Sequence, residues 1–182
     1  PAVLTAANLL LPHIERGQRV DAVTLRAAME TAFGASDATG AWDWKLAYEA
    51  CEVATVLFLR KYGKALFRKA ASPAARAPVL AQFSTPLPLG LAALSAAAIT
   101  PDDVVLEPSA GTGLLAILAQ TAGGSLILNE LTETRADLLS SLFPALSVTR
   151  FDAAQIDDHL APDAVPSVVL MNPPFSVMAN VT

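Results

Sequence analysis

The segment 104–119 limits the folds open to this chain more than any other part of the sequence. Residues 104–106, Val-Val-Leu, predict a short buried strand, and residues 107–113, Glu-Pro-Ser-Ala-Gly-Thr-Gly, predict a tight turn. The apolar spacing of residues 114–119 then predicts a helix. A strand that leads through a glycine-rich turn into a helix is how open parallel sheets bind nucleotides at their carboxyl edge. Glycine in such a turn lets a ligand approach the backbone closely.

Segments typical of strands and helices continue to alternate after this turn. Alternation of this kind predicts a parallel sheet with right-handed crossover connections, and therefore an α/β fold. The predicted strands after the first are 126–130, 146–151 and 168–171, and the predicted helices are 89–99, 112–121 and 132–143, with a short helix inside 152–160.

Residues 1–80 have the apolar periodicity of helices instead. Helices are predicted over 4–16, from a cap at Asp21 to Gly34, and from Asp43 to about Tyr62, with a further helical stretch to Ala71. Val23 and Leu25 are both predicted to face the core. We therefore divide the chain into an all-helical N-terminal segment, 1–80, and the N-terminal half of an α/β domain, 81–182.

Charge is distributed unevenly between these two parts. Residues 1–80 hold ten basic and seven acidic residues, and residues 81–182 hold two basic and ten acidic ones. An uninterrupted basic run in the first part suits either nucleic-acid phosphates or a solvated helix face whose long stems pack on apolar surface. The run consists of Arg60, Lys61, Lys64, Arg68, Lys69 and Arg76.

Residue types that bind metals are scarce and scattered. Cys51 is the only cysteine, and His13 and His159 have no neighbouring ligand at zinc spacing, so we expect no metal site. No apolar run reaches the roughly 18 residues of a membrane span, and no secretory signal is visible. We therefore expect a cytoplasmic protein with no membrane partner.

Two acidic residues follow predicted strands. Glu130 comes seventeen positions after Gly113, where a carboxylate can accept both hydroxyl groups of a ribose. Taken alone, Glu130 reads as an ordinary surface acid, but together with the glycine turn it indicates ribose binding. Asp152 suits either a hydrogen bond from a purine amine or an N-cap of the following segment.

The sequence Asn172-Pro173-Pro174-Phe175 follows the fourth predicted strand. Two prolines fix the backbone and remove two N–H donors, so the loop presents mainly acceptors, namely carbonyl oxygens and the Asn172 side-chain oxygen. Such acceptors suit a planar –NH₂ group, and the Phe175 ring suits stacking on a flat base. The plainer alternative is a strand terminator followed by a core Phe175.

In chain order, the glycine turn, the two acids and the Asn-Pro-Pro-Phe loop resemble the motifs of class I S-adenosylmethionine-dependent methyltransferases. Within that superfamily they resemble most closely the enzymes that methylate adenine N6 in DNA. Residues 83–86, Phe-Ser-Thr-Pro, are similar to the segment that contacts the methionine end of the cofactor in the restriction-modification enzymes. The resemblance covers roughly residues 82–178.

This resemblance implies an enzyme with S-adenosyl-L-methionine as cofactor and a Rossmann-like sheet whose first four strands lie in the order 3-2-1-4. It places cofactor binding at Thr85, Glu107, Ser109, Ala110, Gly111, Gly113, Glu130 and Asp152. It places catalysis, meaning the capture of the target amine, at Asn172, Pro173, Pro174 and Phe175.

The chain also departs from the family pattern. The family sheet has seven strands and this sequence supplies four, so we expect either a piece of a longer polypeptide or a half that pairs with another chain, inactive in isolation. The N-terminal helices and the motifs that follow them resemble the start of bacterial methylase/helicase fusion proteins, which implies a fused or associated helicase. The resemblance of residues 83–86, Phe-Ser-Thr-Pro, implies DNA rather than RNA as the nucleic acid. Three alternatives stay open: an rRNA guanine-N2 methyltransferase, a protein glutamine methyltransferase, and a non-catalytic cofactor-binding or scaffold module of a helicase-linked protein.

Overall fold

The structure, a computed structural model, describes residues 1–36, 40–70 and 85–173, and for residues 66–70 it describes the backbone only. The described residues of its N-terminal part include the helices α1 (Ala2–Glu15), α2 (Ala22–Phe33) and α3 (Trp44–Ala70). α4 (Leu87–Ala97) precedes the sheet.

The α/β part contains a four-stranded parallel sheet in the order β3-β2-β1-β4, which confirms the predicted strand order. The strands are β1 (Val104–Glu107), β2 (Ser125–Asn129), β3 (Val148–Thr149) and β4 (Val168–Val169). They are connected through α5 (Leu114–Ala122), α6 (Glu133–Leu142) and the 3₁₀ helix Ala153–His159.

Side-chain caps fix where the N-terminal helices begin. The Asp21 carboxylate accepts a hydrogen bond from the Thr24 N–H at 2.8 Å, and the Asp43 carboxylate accepts one from the Leu46 N–H at 2.8 Å. Both caps are as predicted. The prediction for Val23 was wrong, because this side chain is 77% exposed. It lies about 200° around the helix axis from Leu25, on the opposite face.

One hydrophobic core joins the N-terminal helices to the sheet. Buried side chains of α1, α2 and α3 pack together with those of α5 and α6, among them Leu10, Met29, Val53, Ile117 and Leu139. A smaller cluster around Val105 and Leu170 lies beside it. The predicted domain boundary at 80/81 lies outside the described residues. α3 packs against the crossover helices α5 and α6.

The described residues contain no helix long and apolar enough to cross a membrane. In the same part of the chain, no group of three or more His, Cys, Asp or Glu side chains is arranged to hold a metal ion.

Candidate functional site

The turn between β1 and α5 depends on two glycines for different reasons. Gly111 has a φ of +56° and Gly113 a φ of +86°, a region that side chains rarely adopt. A Cβ on Gly113 would lie 2.8 Å from Cε2 of Phe143 and 2.9 Å from Cδ2 of Leu139. Glycine is therefore required at position 113 because these two side chains pack against its backbone. A Cβ on Gly111 would meet nothing within 4 Å. Of the two, only Gly111 borders open space.

Glu107 ends β1 and is buried, with 3% of its surface exposed. Burial raises the pKa of this carboxyl well above its ordinary value, and the charges of Glu52 and Glu130 add to that effect. The backbone N–H of Ala116, which hydrogen bonds to the carboxylate, acts in the opposite direction. The turn therefore contains a carboxyl group that tends to keep its proton.

Three buried polar atoms in this turn have no hydrogen-bond partner among the residues that the structure describes. They are Oε2 of Glu107, Oγ of Ser109 and Oγ1 of Thr112. An unsatisfied buried polar group costs about 1–3 kcal/mol, so three of them within six consecutive residues are unusual. A polar ligand or ordered water at this turn would supply the missing partners.

Glu130 follows β2 and is tied to the same turn. One carboxylate oxygen accepts the Gly111 N–H at 2.9 Å, and the other accepts the Thr132 N–H at 2.9 Å. With 6% of its surface exposed, Glu130 is not an ordinary surface acid. Because each carboxylate oxygen has two lone pairs, both retain the capacity to accept a further hydrogen bond.

Asn129, which sequence reasoning missed, joins the ends of three strands. Its buried side-chain N–H₂ donates to the carbonyl oxygens of Pro108 and Phe151, each at 2.9 Å. Its side-chain oxygen accepts from the Thr149 hydroxyl at 2.8 Å and from the Phe151 N–H at 2.9 Å. The amide thus uses all four of its hydrogen-bonding positions. A polar residue at the last position of a buried strand was the signal that could have identified it.

Asp152 lies directly after the segment that Asn129 holds. Its carboxylate accepts the Ala154 N–H at 3.0 Å and caps the 3₁₀ helix, which confirms the N-cap interpretation. The side chain is exposed, and hydrogen bonding to a purine amine stays a prediction. Next to it, the Phe151 ring stacks on the His159 ring with centroids 3.9 Å apart.

Thr85 and Asn172 come together from opposite ends of the α/β part. The Asn172 side-chain amide donates a hydrogen bond to the Thr85 hydroxyl at 3.0 Å. Asn172 and Pro173 are exposed and follow β4, which pairs with β1. Phe83, Ser84, Pro174 and Phe175 lie outside the described residues. Two predicted motifs therefore meet at the carboxyl edge, beside the β1 turn.

The basic run is partly engaged within the chain. Arg60 donates to the Leu142 carbonyl at the end of α6, at 2.6 Å, and the Lys61 ammonium pairs with the Glu15 carboxylate at 2.8 Å. The side chains of Arg68 and Lys69, and all of Arg76, lie outside the described residues. Arg60 and Lys61 thus link α3 to other helices, and binding of nucleic acid by the basic run stays a prediction.

No protein-family model, curated protein or solved structure matches this chain. The geometry of the carboxyl edge is therefore the basis for assigning a function. The structure joins Gly111 to Glu130 directly, joins Thr85 to Asn172 directly, and connects Asp152 to the β1 turn through the Asn129 amide.

Proposed function

We propose that this chain belongs to an enzyme that transfers a methyl group from S-adenosyl-L-methionine to an exocyclic amine, with adenine N6 in DNA as the target. One observation carries the proposal: an acid-bound glycine turn and an Asn-Pro loop lie on adjacent parallel strands, β1 and β4, and open at the same edge. A methyltransferase needs these two half-sites side by side, one for the cofactor and one for the amine.

The residues at this edge fit the polar groups of the proposed cofactor. The lone pairs left on the Glu130 carboxylate suit the two ribose hydroxyls. The unpartnered Glu107, Ser109 and Thr112 oxygens suit a ligand with several N–H or O–H groups, and the space beside Gly111 admits it close to the backbone. When bound, S-adenosyl-L-methionine supplies an electrophilic methyl group on a sulfonium.

The contribution of the protein to the transfer is orientation of the target. The Asn172 side chain donates through its nitrogen to Thr85, which leaves its oxygen to accept from the target –NH₂ together with the Pro173 carbonyl. An amine held in this way turns its nitrogen lone pair toward the methyl group, and no general base is needed before attack. A base in a duplex must flip out of the stack to reach such a pocket.

Cofactor binding is the first test. Calorimetric titration with S-adenosylmethionine and its demethylated product is expected to give saturable binding that weakens in Glu130→Ala. Glu133→Ala is the matched control, because Glu133 is a neighbouring exposed acid. A folded wild-type chain that binds neither ligand would contradict the proposal.

Transfer is tested on the chain and on any longer polypeptide that contains it. Labelled S-adenosylmethionine is supplied with DNA, RNA and protein acceptors, and the products are separated as N6-methyladenine, N2-methylguanine and methylglutamine. We expect N6-methyladenine, lost in Asn172→Ala and in Phe175→Ala while cofactor binding is kept. Label in RNA or protein alone would replace the DNA assignment, and unchanged transfer in both variants would exclude the assigned role of the loop.

A further inference from the structure

Both tryptophans of the chain lie where α2 meets the start of α3. The Trp42 and Trp44 rings meet edge to face with their centroids 5.8 Å apart, and the Tyr48 ring centroid lies 6.4 Å from that of Trp44. The Arg26 guanidinium of α2 lies 5.9 Å from the Trp42 ring centroid and 5.6 Å from the Trp44 ring centroid. Trp42 is buried, and its indole N–H donates to the Gly34 carbonyl at 3.0 Å. Trp42 therefore ties these three rings, the aromatic cluster, to the end of α2.

Trp44 differs from Trp42 because 41% of its surface is exposed. The residues on both sides of Trp44 line a cleft of about 320 Å³, whose walls are residues 40–43, 45, 46 and 49. Ligand sites have volumes of about 300–1,000 Å³, so this cleft has room for a small flat group. Lys45 is exposed and has no ion-pair partner among the residues that the structure describes. An exposed indole, a guanidinium and an ammonium group thus occur on one surface.

The acids of this surface are engaged within the chain. The Asp43 carboxylate accepts the Leu46 N–H at 2.8 Å and caps α3. The Glu30 carboxylate lies 3.9 Å from the Arg26 guanidinium, and Glu49 pairs with a basic residue of α6. The pair between Glu30 and Arg26 is long and nearly half exposed, and such pairs contribute little free energy. A phosphate group is therefore able to compete for Arg26.

The α/β part is poorly suited to bind the phosphates of the proposed substrate. Residues 81–182 hold only two basic residues against ten acidic ones. Both basic residues are paired, Arg135 with Glu49 and Arg150 with Glu133 at 3.5 Å. Because acidic surface repels phosphate, affinity for DNA has to come from another part of the protein. The N-terminal segment, with ten basic and seven acidic residues, is the positively charged part of this chain.

The aromatic cluster suits an unpaired strand better than a duplex. Proteins bind single strands by stacking bases on exposed aromatic rings, while nearby cations contact the phosphates. In a duplex the bases are already stacked on one another. The proposed reaction itself requires a base to leave the duplex, which exposes unpaired DNA. Stacking on Trp44 would hold such DNA without reading its sequence, since every base has a flat face.

One ion pair connects the cleft to the helix that follows Glu130. Glu49 lines the cleft and pairs with Arg135 in the first turn of α6. α6 begins directly after Thr132, whose N–H is bound by the Glu130 carboxylate at 2.9 Å. The wall of the cleft and the acid of the candidate site are therefore linked through a short series of contacts.

We propose that Trp44, Arg26 and Lys45 form a contact for single-stranded DNA, in which a base stacks on the Trp44 indole and phosphates contact Arg26 and Lys45. The inference rests on the proposed function, because it takes DNA as the partner. It extends that function by assigning part of the affinity for DNA to the N-terminal helices, outside the candidate site.

Intrinsic fluorescence tests this contact directly, because both tryptophans of the chain belong to the aromatic cluster. Titration with a short oligothymidylate is expected to quench the fluorescence to saturation at low salt, and a duplex of the same length is expected to bind more weakly. Trp42→Phe leaves Trp44 as the only tryptophan, and the quenching is expected to persist. Trp44→Leu is expected to lower the affinity for a labelled oligothymidylate about tenfold, as measured by fluorescence anisotropy, since one stacked base is lost.

The contribution of Lys45 is measured from the dependence of affinity on salt. Lys45→Gln is expected to reduce the slope of log affinity against log salt by about 0.7, the value for one phosphate contact on a single strand. Arg16→Gln makes the same change of charge and is the matched control. Arg16 follows Glu15, which pairs with Lys61, and Lys61 lies about 24 Å along α3 from Lys45. We expect Arg16→Gln to leave the slope unchanged.

The outcomes separate this inference from the proposed function. If the folded wild type does not bind the oligothymidylate, or if Trp44→Leu binds it equally well, the contact is excluded, and the exposed ring is left to a protein partner, whose interfaces use the same residue types. Should Trp44→Leu fail to fold, an unchanged salt slope in Lys45→Gln would exclude the contact instead. Affinity for S-adenosylmethionine is expected to be the same in wild type and Trp44→Leu. A chain that binds the oligothymidylate through Trp44 but binds no cofactor would contradict the proposed function and leave this contact standing.

Discussion

The side-chain amide of Asn172 donates a hydrogen bond of 3.0 Å to the hydroxyl of Thr85, which lies 87 positions earlier in the chain. An Asn amide has a donor end and an acceptor end, so a partner for the nitrogen decides where the oxygen points. In the proposed reaction the oxygen has to face the target amine. We therefore propose that Thr85 positions Asn172 for this reaction, in addition to the cofactor contact predicted from the sequence.

We expect Thr85→Val, which keeps the shape but removes the hydroxyl, to lower kcat for methyl transfer about tenfold, the equivalent of one lost hydrogen bond. Thr85→Ser keeps the hydroxyl and is expected to retain most of the rate. The measurement is the initial rate at saturating S-adenosylmethionine and saturating acceptor. Equal rates for the Val and Ser variants would show that the hydrogen bond to Asn172 is irrelevant to transfer.

The Asn129 network predicts a large loss of stability on a small chemical change. Asn129→Asp keeps the shape but replaces the two N–H donors to Pro108 and Phe151 with an oxygen that faces their carbonyl oxygens. We expect the free energy of unfolding to fall by about 2–4 kcal/mol, since a buried network is broken and a charge is buried. Urea denaturation measures the change.

Asn8→Asp is the matched control for this substitution. Asn8 also donates to a carbonyl oxygen, that of Leu4 at 2.8 Å, but on the exposed face of α1. Asn8→Asp is expected to lower the free energy of unfolding by less than about 1 kcal/mol. A similar loss in both variants would mean that burial of the Asn129 amide contributes nothing.

Most of the element order was predictable because it depends on local patterns. Caps such as Asp21 and Asp43, and the apolar periodicity of the helices, are set by residues close in sequence. The outer strands were predicted too long, at 146–151 and 168–171, whereas β3 and β4 each span two residues. At β3 the reason is visible: the Phe151 N–H bonds to the Asn129 side chain and so leaves the ladder.

The site was predictable only in part, for a different reason. The acid at the end of a strand indicated Glu130, and the Asn-Pro-Pro-Phe loop indicated Asn172. Nothing local indicated that α3 would pack against α6, because that packing depends on contacts such as the one between Glu49 and Arg135, 86 positions apart. Long-range contacts of this kind have no signature in a single sequence.

Replacement by alanine is expected to have different effects at Gly111 and at Gly113. Gly113→Ala adds a Cβ 2.8 Å from the Phe143 ring, at a residue with a φ of +86°. Overpacking and backbone strain therefore combine, and we expect the free energy of unfolding to fall by about 2–4 kcal/mol. A Cβ at Gly111 would meet nothing within 4 Å. Gly111→Ala is therefore expected to lower the free energy of unfolding only through backbone strain at positive φ, by about 1–2 kcal/mol. Thermal or urea unfolding of both variants measures the difference.

Gly111→Ala is also expected to lower the affinity for S-adenosylmethionine, because the new methyl group occupies the open side of the turn. Gly17→Ala provides the control, since Gly17 has a φ of +67° and equally empty surroundings but lies between α1 and α2, far from the site in the sequence. The two variants should lose similar stability, and only Gly111→Ala should lose affinity. Unchanged affinity in Gly111→Ala would place the cofactor elsewhere.

Glu107 predicts an unusual dependence of stability on pH. Burial, reinforced by the charges of Glu52 and Glu130, raises the pKa of Glu107 in the folded protein above its value in the unfolded chain. Between those two values the folded state binds more protons than the unfolded state, so this group makes the protein less stable as pH rises from the unfolded pKa of about 4.3 to the raised folded pKa. Glu107→Gln removes that contribution. We therefore expect the variant to match the wild type at about pH 4 and to be more stable at about pH 8 in urea denaturation.

Ionisation of Glu107 is also expected to make ligand affinity depend on pH. S-adenosylmethionine carries a net positive charge, which favours the ionised carboxylate, so its affinity is expected to rise with pH across the interval in which the free protein loses stability. Glu133→Gln changes the same formal charge at an exposed position and should leave both pH profiles unaltered. If Glu107→Gln instead destabilises the protein at every pH, the carboxyl is needed for its bond to the Ala116 N–H, and the turn is built to stabilise α5 rather than to receive a cation.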